Sequence, residues 1–349
     1  MNILFHLGHP AHFHLNKITI TNLIEQGNQV TIAINDKDIL ENLLIESKLS
    51  YMKIVGKKNN QSKFGTFLRL LKQIKNLFQI SYKKKIELLI GSTSVISHVG
   101  VLLNIPSIAL VEDDAEAIPP FPQITYPFIS KIIAPKECSV GRWSYKKIGI
   151  NSYHELAYLH PNTFKPSFKK IEKYVDSQDD YFIIRFSDLG AYHDDGISGI
   201  SDNIAKLIID KLIPHGNVYI TSERKLNSEF EKYRVKINPI DMHHFMAFCS
   251  IVIGDSQTMS AEAAVLGVPF IRYNDFVGKL SYCNSLEEIY NLGYGIKAGE
   301  TKLLLDKVDQ LINMSNKNEI FNKRKEKMLS EKIDYSLFLL DFIKKNYLK

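Results

Sequence analysis

One stretch constrains the fold more than any other: Ile251-Val-Ile-Gly-Asp-Ser-Gln-Thr-Met-Ser-Ala-Glu-Ala-Ala-Val-Leu-Gly-Val-Pro-Phe-Ile-Arg272. It reads as a buried strand over Ile251–Ile253, a polar turn over Gly254–Thr258 and a helix from about Met259 to Leu266. A stop at Gly267 and a second strand opened by Pro269 follow. A polar turn between a strand's carboxyl end and a helix N-terminus gathers free backbone N–H groups at the positive end of the helix dipole, which suits an anion. Glu262 lies about one turn inside that helix, where a carboxylate can reach a ribose diol beside a bound phosphate.

The rest of the chain alternates in the same way. In the first half, strands are expected at Asn2–Leu7, Gln29–Ile34, Tyr51–Val55, Ile86–Ile90 and Ser107–Val111, separated by helical patterns. In the second, strands at Tyr181–Phe186 and Val218–Thr221 flank a helix at Ile200–Ile213, and a short helix at Asp241–Phe248 precedes the Ile251 strand. Such alternation implies parallel, doubly wound α/β sheets with ligands at the carboxyl ends of their strands. At 349 residues the chain suits two domains rather than one. We expect two Rossmann-like domains facing a cleft, over 1–165 and 178–330. The Pro- and Lys-rich stretch from His160 to Asp180 is the boundary, and an amphipathic helix within 331–349 crosses back onto the first domain.

Composition sets further bounds. Hydrophobic residues at 45% and charged residues at 23% are ordinary for a globular protein. Cys138, Cys249 and Cys283 are scattered without CxxC spacing, which predicts reduced thiols and a cytoplasmic protein. No apolar run approaches the ~20 residues that span a bilayer, and the N-terminus lacks the pattern of a signal peptide. The net charge of +6 is uneven: from Ser47 to Ile86 there is no acidic residue, while lysines crowd 57–85. Phe64, Phe67, Leu68, Leu71, Ile74, Leu77 and Phe78 recur there at helical spacing, so a basic amphipathic helix is expected, suited either to core packing or to peripheral contact with an anionic membrane. No recognition motif accompanies the charge, which argues against a nucleic-acid partner.

Several loops carry candidate chemistry. After the first strand, Gly8-His-Pro-Ala-His-Phe-His14 places His9, His12 and His14 on one short loop. Histidine titrates near neutrality, which suits a general base, and we single out His12, then His14. The spacing does not suit zinc, and no metal or cofactor is expected. Val111-Glu-Asp-Asp-Ala-Glu116 crowds carboxylates at another strand end, where repulsion raises one of them toward acid–base use; Glu112 and Asp113 are catalytic candidates. Asp114, His9 and the Gly91-Ser-Thr-Ser94 loop, through Ser92 and Thr93, are candidates for holding an acceptor. In the second half, Arg185, Ser187, Ser222 and Arg224 follow two strands and can clamp a diphosphate, and His243 in Asp241-Met-His-His-Phe245 lies where a nucleotide base would be expected to sit.

The Pro10-Ala-His-Phe-His14 loop, the segment from Gly91 to Asp114, the Tyr153-His-Glu-Leu-Ala-Tyr-Leu159 stretch and Gly254–Arg272 together resemble domain-of-unknown-function family 354 over almost the whole chain. That family is itself similar to two-Rossmann-domain (GT-B) glycosyltransferases and to non-hydrolysing UDP-N-acetylglucosamine 2-epimerases. The resemblance implies a nucleotide-sugar donor, UDP-linked, held by the C-terminal domain. Ser256, Gln257 and Thr258 would contact the diphosphate and Glu262 the ribose. The base would be His12 or an acid of the Glu112–Asp114 cluster, and the acceptor a cell-envelope saccharide or a lipid-linked group. The family's turn is richer in glycine than Gly254–Thr258 here, and Asp255 beside a phosphate is unfavourable unless it points away or binds something else. Epimerases of this kind carry an Arg-Pro-Glu element after the first strand, which this chain lacks. A transferase is therefore the first expectation, a 2-epimerase the second, and nucleotide-sugar binding without turnover the third.

Overall fold

The computed structural model describes residues 1–35, 38–55, 63–175, 180–187 and 198–348. The chain divides into two compact units, Met1–Tyr158 with Ile333–Lys349, and Leu159–Lys332.

The first unit opens with β1 (Asn2–Leu7), α1 (Pro10–Glu25), β2 (Gln29–Asn35), α2 (Asp38–Glu46), β3 (Met52–Val55) and α3 (Lys63–Lys83). It continues with β4 (Leu88–Gly91), α4 (Ser94–Leu103), β5 (Ser107–Leu110), α5 (Pro120–Thr125), β6 (Lys131–Pro135) and β7 (Lys147–Ile150). The seven strands are all parallel, in the order β3-β2-β1-β4-β5-β6-β7. Helices cover both faces, so β4 and β5 are buried at every position and read in the sequence as short continuous apolar runs. Gly91 is needed for β4 to lie against β1: a Cβ there would stand 2.5 Å from the His6 carbonyl oxygen.

The second unit contains β8 (Tyr181–Phe186), α6 (Asp202–Leu212), β9 (Asn217–Ser222), α7 (Met242–Ala247), β10 (Ile251–Gly254), α8 (Gln257–Leu266) and β11 (Phe270–Tyr273). It ends with α9 (Ser281–Asn284), β12 (Gly293–Ile296), α10 (Thr301–Ile312) and α11 (Lys317–Glu331). Its sheet is also parallel, ordered β12-β11-β10-β8-β9. The last helix, α12 (Tyr335–Tyr347), belongs to the first unit, where Tyr335, Leu339, Leu340 and Ile343 join the core that also holds Phe13 and Leu15 of α1.

Local chemistry sets the helix ends. The α1 helix begins at Pro10, whose missing N–H costs nothing in the first turn, and His9 caps it by accepting the N–H of Ala11. His12 and His14 therefore stand on the first helical turns rather than on a loop, which corrects the sequence expectation. Asn104 and Gly267 end α4 and α8 in the left-handed conformation. Cys138, Cys249 and Cys283 are all buried. Among the described residues no helix is long and apolar enough to cross a membrane.

Candidate functional site

In a parallel sheet, ligands gather where the strand order reverses, at the carboxyl edge. In the second unit that point lies between β8 and β10, the two strands from which the chain winds outward in opposite directions. Gly254 sits opposite Arg185 there, and a Cβ on it would meet the Arg185 Cβ at 2.8 Å. The turn that follows carries Asp255, fully buried, whose carboxylate accepts the N–H of Ser187 at 2.6 Å and of Ile200 at 3.3 Å. Burial pushes the Asp255 carboxyl up, while these two N–H groups and Arg224 favour its charge. Asp255 thus binds backbone N–H groups of the same unit.

Beyond it, α8 starts two residues earlier than its apolar pattern suggests. Ser256 is the N-cap, accepting the Met259 N–H at 3.3 Å, and Gln257 and Thr258 form the first turn, all three half-buried. Glu262, buried on the second turn of α8, has Oε1 3.0 Å from Nε2 of His243 on α7. Phe164, which no sequence pattern singled out, lies 6.3 Å edge-on to the His243 ring and 4.7 Å from His244. Ser167 donates its N–H to Nδ1 of His244, and burial, with the charge of Lys170, lowers that imidazole.

The cations nearby are partly committed. Arg185 pairs with Glu223. Arg224 donates to the Ile200 carbonyl and lies 4.6 Å from the Phe186 ring centroid. Ser222 Oγ donates to the Arg224 carbonyl at 2.6 Å. The continuation expected through Asp188–Gly190 and Tyr192–Gly196 lies outside the described residues. An open cavity of about 440 Å³, lined by Ile213, Gly216, Tyr219, Tyr233 and Arg234, lies at the amino end of β9, the wrong edge of the sheet for a ligand of this kind.

In the first unit the reversal falls between β1 and β4. His6, fully buried on β1, places Nδ1 against Oγ1 of Thr93, and burial lowers its imidazole to about 4. Thr93 is the N-cap of α4, yet its hydroxyl caps no amide because it faces His6. Ser92 Oγ is buried with no hydrogen-bond partner. Across the turn, the Gly8 N–H donates to Nδ1 of His12 at 3.1 Å. Nδ1 of His12 thus accepts from the backbone, and a neutral ring in that arrangement has its proton on Nε2. His14 packs between Phe13 and Tyr158, with ring centroids 5.3 and 5.2 Å away.

After β5, Glu112 is buried, and its pKa is pushed well above the usual carboxylate range by burial, then by the charges of Glu155, Asp113 and Glu137. One influence works against them: the His154 N–H, donated to Glu112 Oε1 at 2.8 Å. Nδ1 of the His154 ring stands 3.5 Å from Oε2, but burial lowers that imidazole to about 3, so the contact is not a charged ion pair. Asp113 is half-buried; Asp114 is buried and accepts the Ser139 N–H at 2.6 Å. Within this cluster Glu112 is raised, with burial rather than repulsion by its neighbours as the leading cause. His154 and Glu155 complete the group although neither was singled out. Among the described residues there is no group of three or more His, Cys, Asp or Glu side chains arranged to hold a metal ion.

A family model described as Protein of unknown function (DUF354) matches residues 1–343. The chain belongs to this family. No curated protein matches the DUF354 chain in sequence. Among solved structures it is similar to S. aureus MnaA bound to UDP, with a TM-score of 0.70 at 13% identity over 100% of this chain and 97% of that one. It is also similar to the Neisseria meningitidis UDP-GlcNAc 2-epimerase bound to UDP-GlcNAc, with a TM-score of 0.66 at 15% identity over 99% and 100%. The spinosyn rhamnosyltransferase SpnG with thymidine diphosphate gives 0.65 at 12% identity over 97% and 98%. These likenesses show the fold: the DUF354 chain has the two parallel α/β sheets common to GT-B glycosyltransferases and UDP-GlcNAc 2-epimerases. A fold shared by an epimerase and a transferase does not choose between their reactions.

Proposed function

We propose that this protein is a glycosyltransferase that moves a sugar from a nucleoside-diphosphate donor, UDP-linked, to a cell-envelope saccharide or lipid-linked acceptor. The observation that carries this is the turn after β10, where the α8 N-terminus opens at the sheet's reversal point while Asp255 is turned onto Ser187 and Ile200. The donor diphosphate sits on the first amides of α8 with Ser256, Gln257 and Thr258, and the ribose diol on Glu262, oriented by His243. Arg185, Ser187, Ser222 and Arg224 form the adjoining rim. No metal ion is called on, because the α8 N-terminus and these cations take up the charge of the departing diphosphate.

In the first unit, His9, Ser92, Thr93 and Asp114 hold the acceptor. Glu112, or Asp113 beside it, takes the proton of the acceptor hydroxyl as that oxygen attacks the anomeric carbon and the bond to the diphosphate breaks. A carboxyl raised above its usual range is suited to that task, because it is a stronger base than an ordinary carboxylate. His12 serves through Nε2–H as a hydrogen-bond donor.

The gathering of Glu112, Asp113, Glu137 and Glu155 also favours a second reading, a 2-epimerase that shuttles protons between carboxylates without an acceptor. Titrating the protein with UDP, UDP-GlcNAc and thymidine diphosphate by calorimetry tests what the two readings share. Binding that weakens in Glu262→Ala supports the donor site, and no heat with any nucleotide contradicts it.

The α3 helix adds a second partner, an anionic membrane surface at the inner face of the cell membrane. Leu70, Ile74, Leu77 and Phe78 pack inward, while Phe67, Leu68 and Leu71 are exposed together with Lys72, Lys75 and Lys83–Lys85. An exposed apolar turn beside acid-free lysines suits anionic headgroups, and a second copy of the same basic face would repel it. Lys57 and Lys58 of the basic stretch lie outside the described residues.

A further inference from the structure

The first turn of α12 is tied closely to the segment that carries His154. Asp334 caps the helix by accepting the N–H groups of Ser336 at 3.0 Å and Leu337 at 3.2 Å. Ser336 Oγ donates to the Ala157 carbonyl at 3.0 Å, Ser152 Oγ to the Ile333 carbonyl at 2.6 Å, and the Ile333 N–H to the Asn151 carbonyl at 3.0 Å. These bonds bracket Tyr335 and set its ring edge-on to the His154 ring, centroids 5.2 Å apart at 88°. The Tyr335 hydroxyl is buried without a hydrogen-bond partner, so the ring, not the hydroxyl, makes the useful contact. His154 passes that contact on: its N–H meets Glu112 Oε1 and its ring Nδ1 stands 3.5 Å from Oε2.

We propose that His154 and Tyr335 are positioning residues for Glu112, so that the C-terminal helix forms part of the protein's acid–base apparatus. This rests on the reading of Glu112 as the group that takes the acceptor proton. The His154 N–H fixes one carboxyl oxygen, the neutral ring covers the other, and Tyr335 keeps the ring in place and water out. The other groups that act on Glu112 are acidic or neutral: Asp113 on its own loop, Glu155 beside His154, Glu137 and Cys138 after β6, and Tyr335 itself. None of these is a cation, and burial is the largest influence that raises the carboxyl.

The test is an infrared titration of protonated carboxyl groups in the ligand-free protein, with Glu112→Gln identifying the Glu112 band. His154→Ala, which leaves every bond of the α12 first turn intact, should move the midpoint down by about one pH unit or more as water enters. Tyr335→Leu should move it the same way by less, and Tyr335→Phe should leave it in place. An unchanged midpoint in His154→Ala overturns the proposal, as does an unchanged one in a Tyr335→Leu protein with native circular dichroism. If Tyr335→Leu does not fold, His154→Ala and Tyr335→Phe still decide. The functional reading fails separately: normal turnover in Glu112→Gln removes Glu112 from the reaction without touching the titration.

Discussion

The carboxylate of Asp255 accepts the backbone N–H of Ser187 at 2.6 Å, tying the turn after β10 to the end of β8 across the reversal point of the sheet. The same carboxylate takes the Ile200 N–H, so one buried side chain satisfies backbone donors at 187 and 200 together. That carboxylate therefore has a structural task inside the scaffold.

Asp255→Ala should then destabilise the second unit by roughly 2–3 kcal/mol, because two buried donors lose a charged acceptor. Asp255→Asn keeps the shape and one acceptor oxygen and should cost less. Urea unfolding followed by circular dichroism measures both. Equal stability of Asp255→Ala and the parent would remove the clamp.

Glu262 is oriented by His243 at 3.0 Å, and a ribose diol on that carboxylate would make charge-assisted hydrogen bonds. Glu262→Ala should weaken UDP binding about ten- to a hundredfold, roughly 1.4–2.8 kcal/mol. His243→Ala should weaken it less, since the carboxylate remains. Calorimetry with UDP measures both, and unchanged affinity in Glu262→Ala takes this residue out of the site.

Stability should fall in mild acid through His6 and His154. Burial holds His6 at about 4 and His154 at about 3, below the 6.5 of the unfolded chain. Each neutral ring therefore contributes stability above pH 6.5 that is lost as pH falls toward those values. Between pH 7 and pH 5 the loss is about 2 kcal/mol per ring. Glu112 works in the opposite sense: its raised carboxyl contributes stability below 4.5 that is lost as pH rises through its folded value. Urea midpoints of His154→Gln at the two pH values should show about 2 kcal/mol less acid loss than the parent. An identical acid loss contradicts the account of the ring.

For α3, replacing Lys72, Lys75 and Lys83 by Glu should lower binding to vesicles containing phosphatidylglycerol by about a hundredfold or more, at about 1 kcal/mol per lysine removed. Co-sedimentation reads this directly. Retained binding in the triple variant, or equal binding of the parent to neutral vesicles, would place the membrane contact elsewhere.

Much of the fold was legible because it rests on local chemistry. The Ile251–Arg272 stretch announced β10, α8 and β11 through its apolar run, Gly267 and Pro269, and Tyr335–Tyr347 announced α12 by its period. β6 and β7 were missed because Lys131–Pro135 and Lys147–Ile150 are short and interrupted by lysine or glycine, and β12 because Gly293 and Gly295 dilute its pattern. The start of α1 was hidden because histidines after Pro10 read as a polar loop, although Pro is favoured at a first helical position.

The chemistry of the site was less legible, because it depends on which distant elements meet. Glu112 could be marked as crowded from its own neighbours, but its contact with His154 comes from packing of the segment after β7. The Asp255 clamp and the Arg272–Glu287 pair, bidentate at 2.8 and 3.1 Å, are likewise invisible to spacing. In the same way, the bond from the Gly8 N–H to Nδ1 of His12 is a contact that the loop's pattern does not show.

The most direct measurement of the central proposal is chromatography of UDP-sugars incubated with the protein, with and without a cell-envelope acceptor fraction. If the proposal holds, UDP is released only when acceptor is present, and that release is lost in Glu262→Ala and sharply reduced in Glu112→Gln. An isomerised UDP-sugar formed without acceptor, or no change in any UDP-sugar with acceptor present, would contradict it.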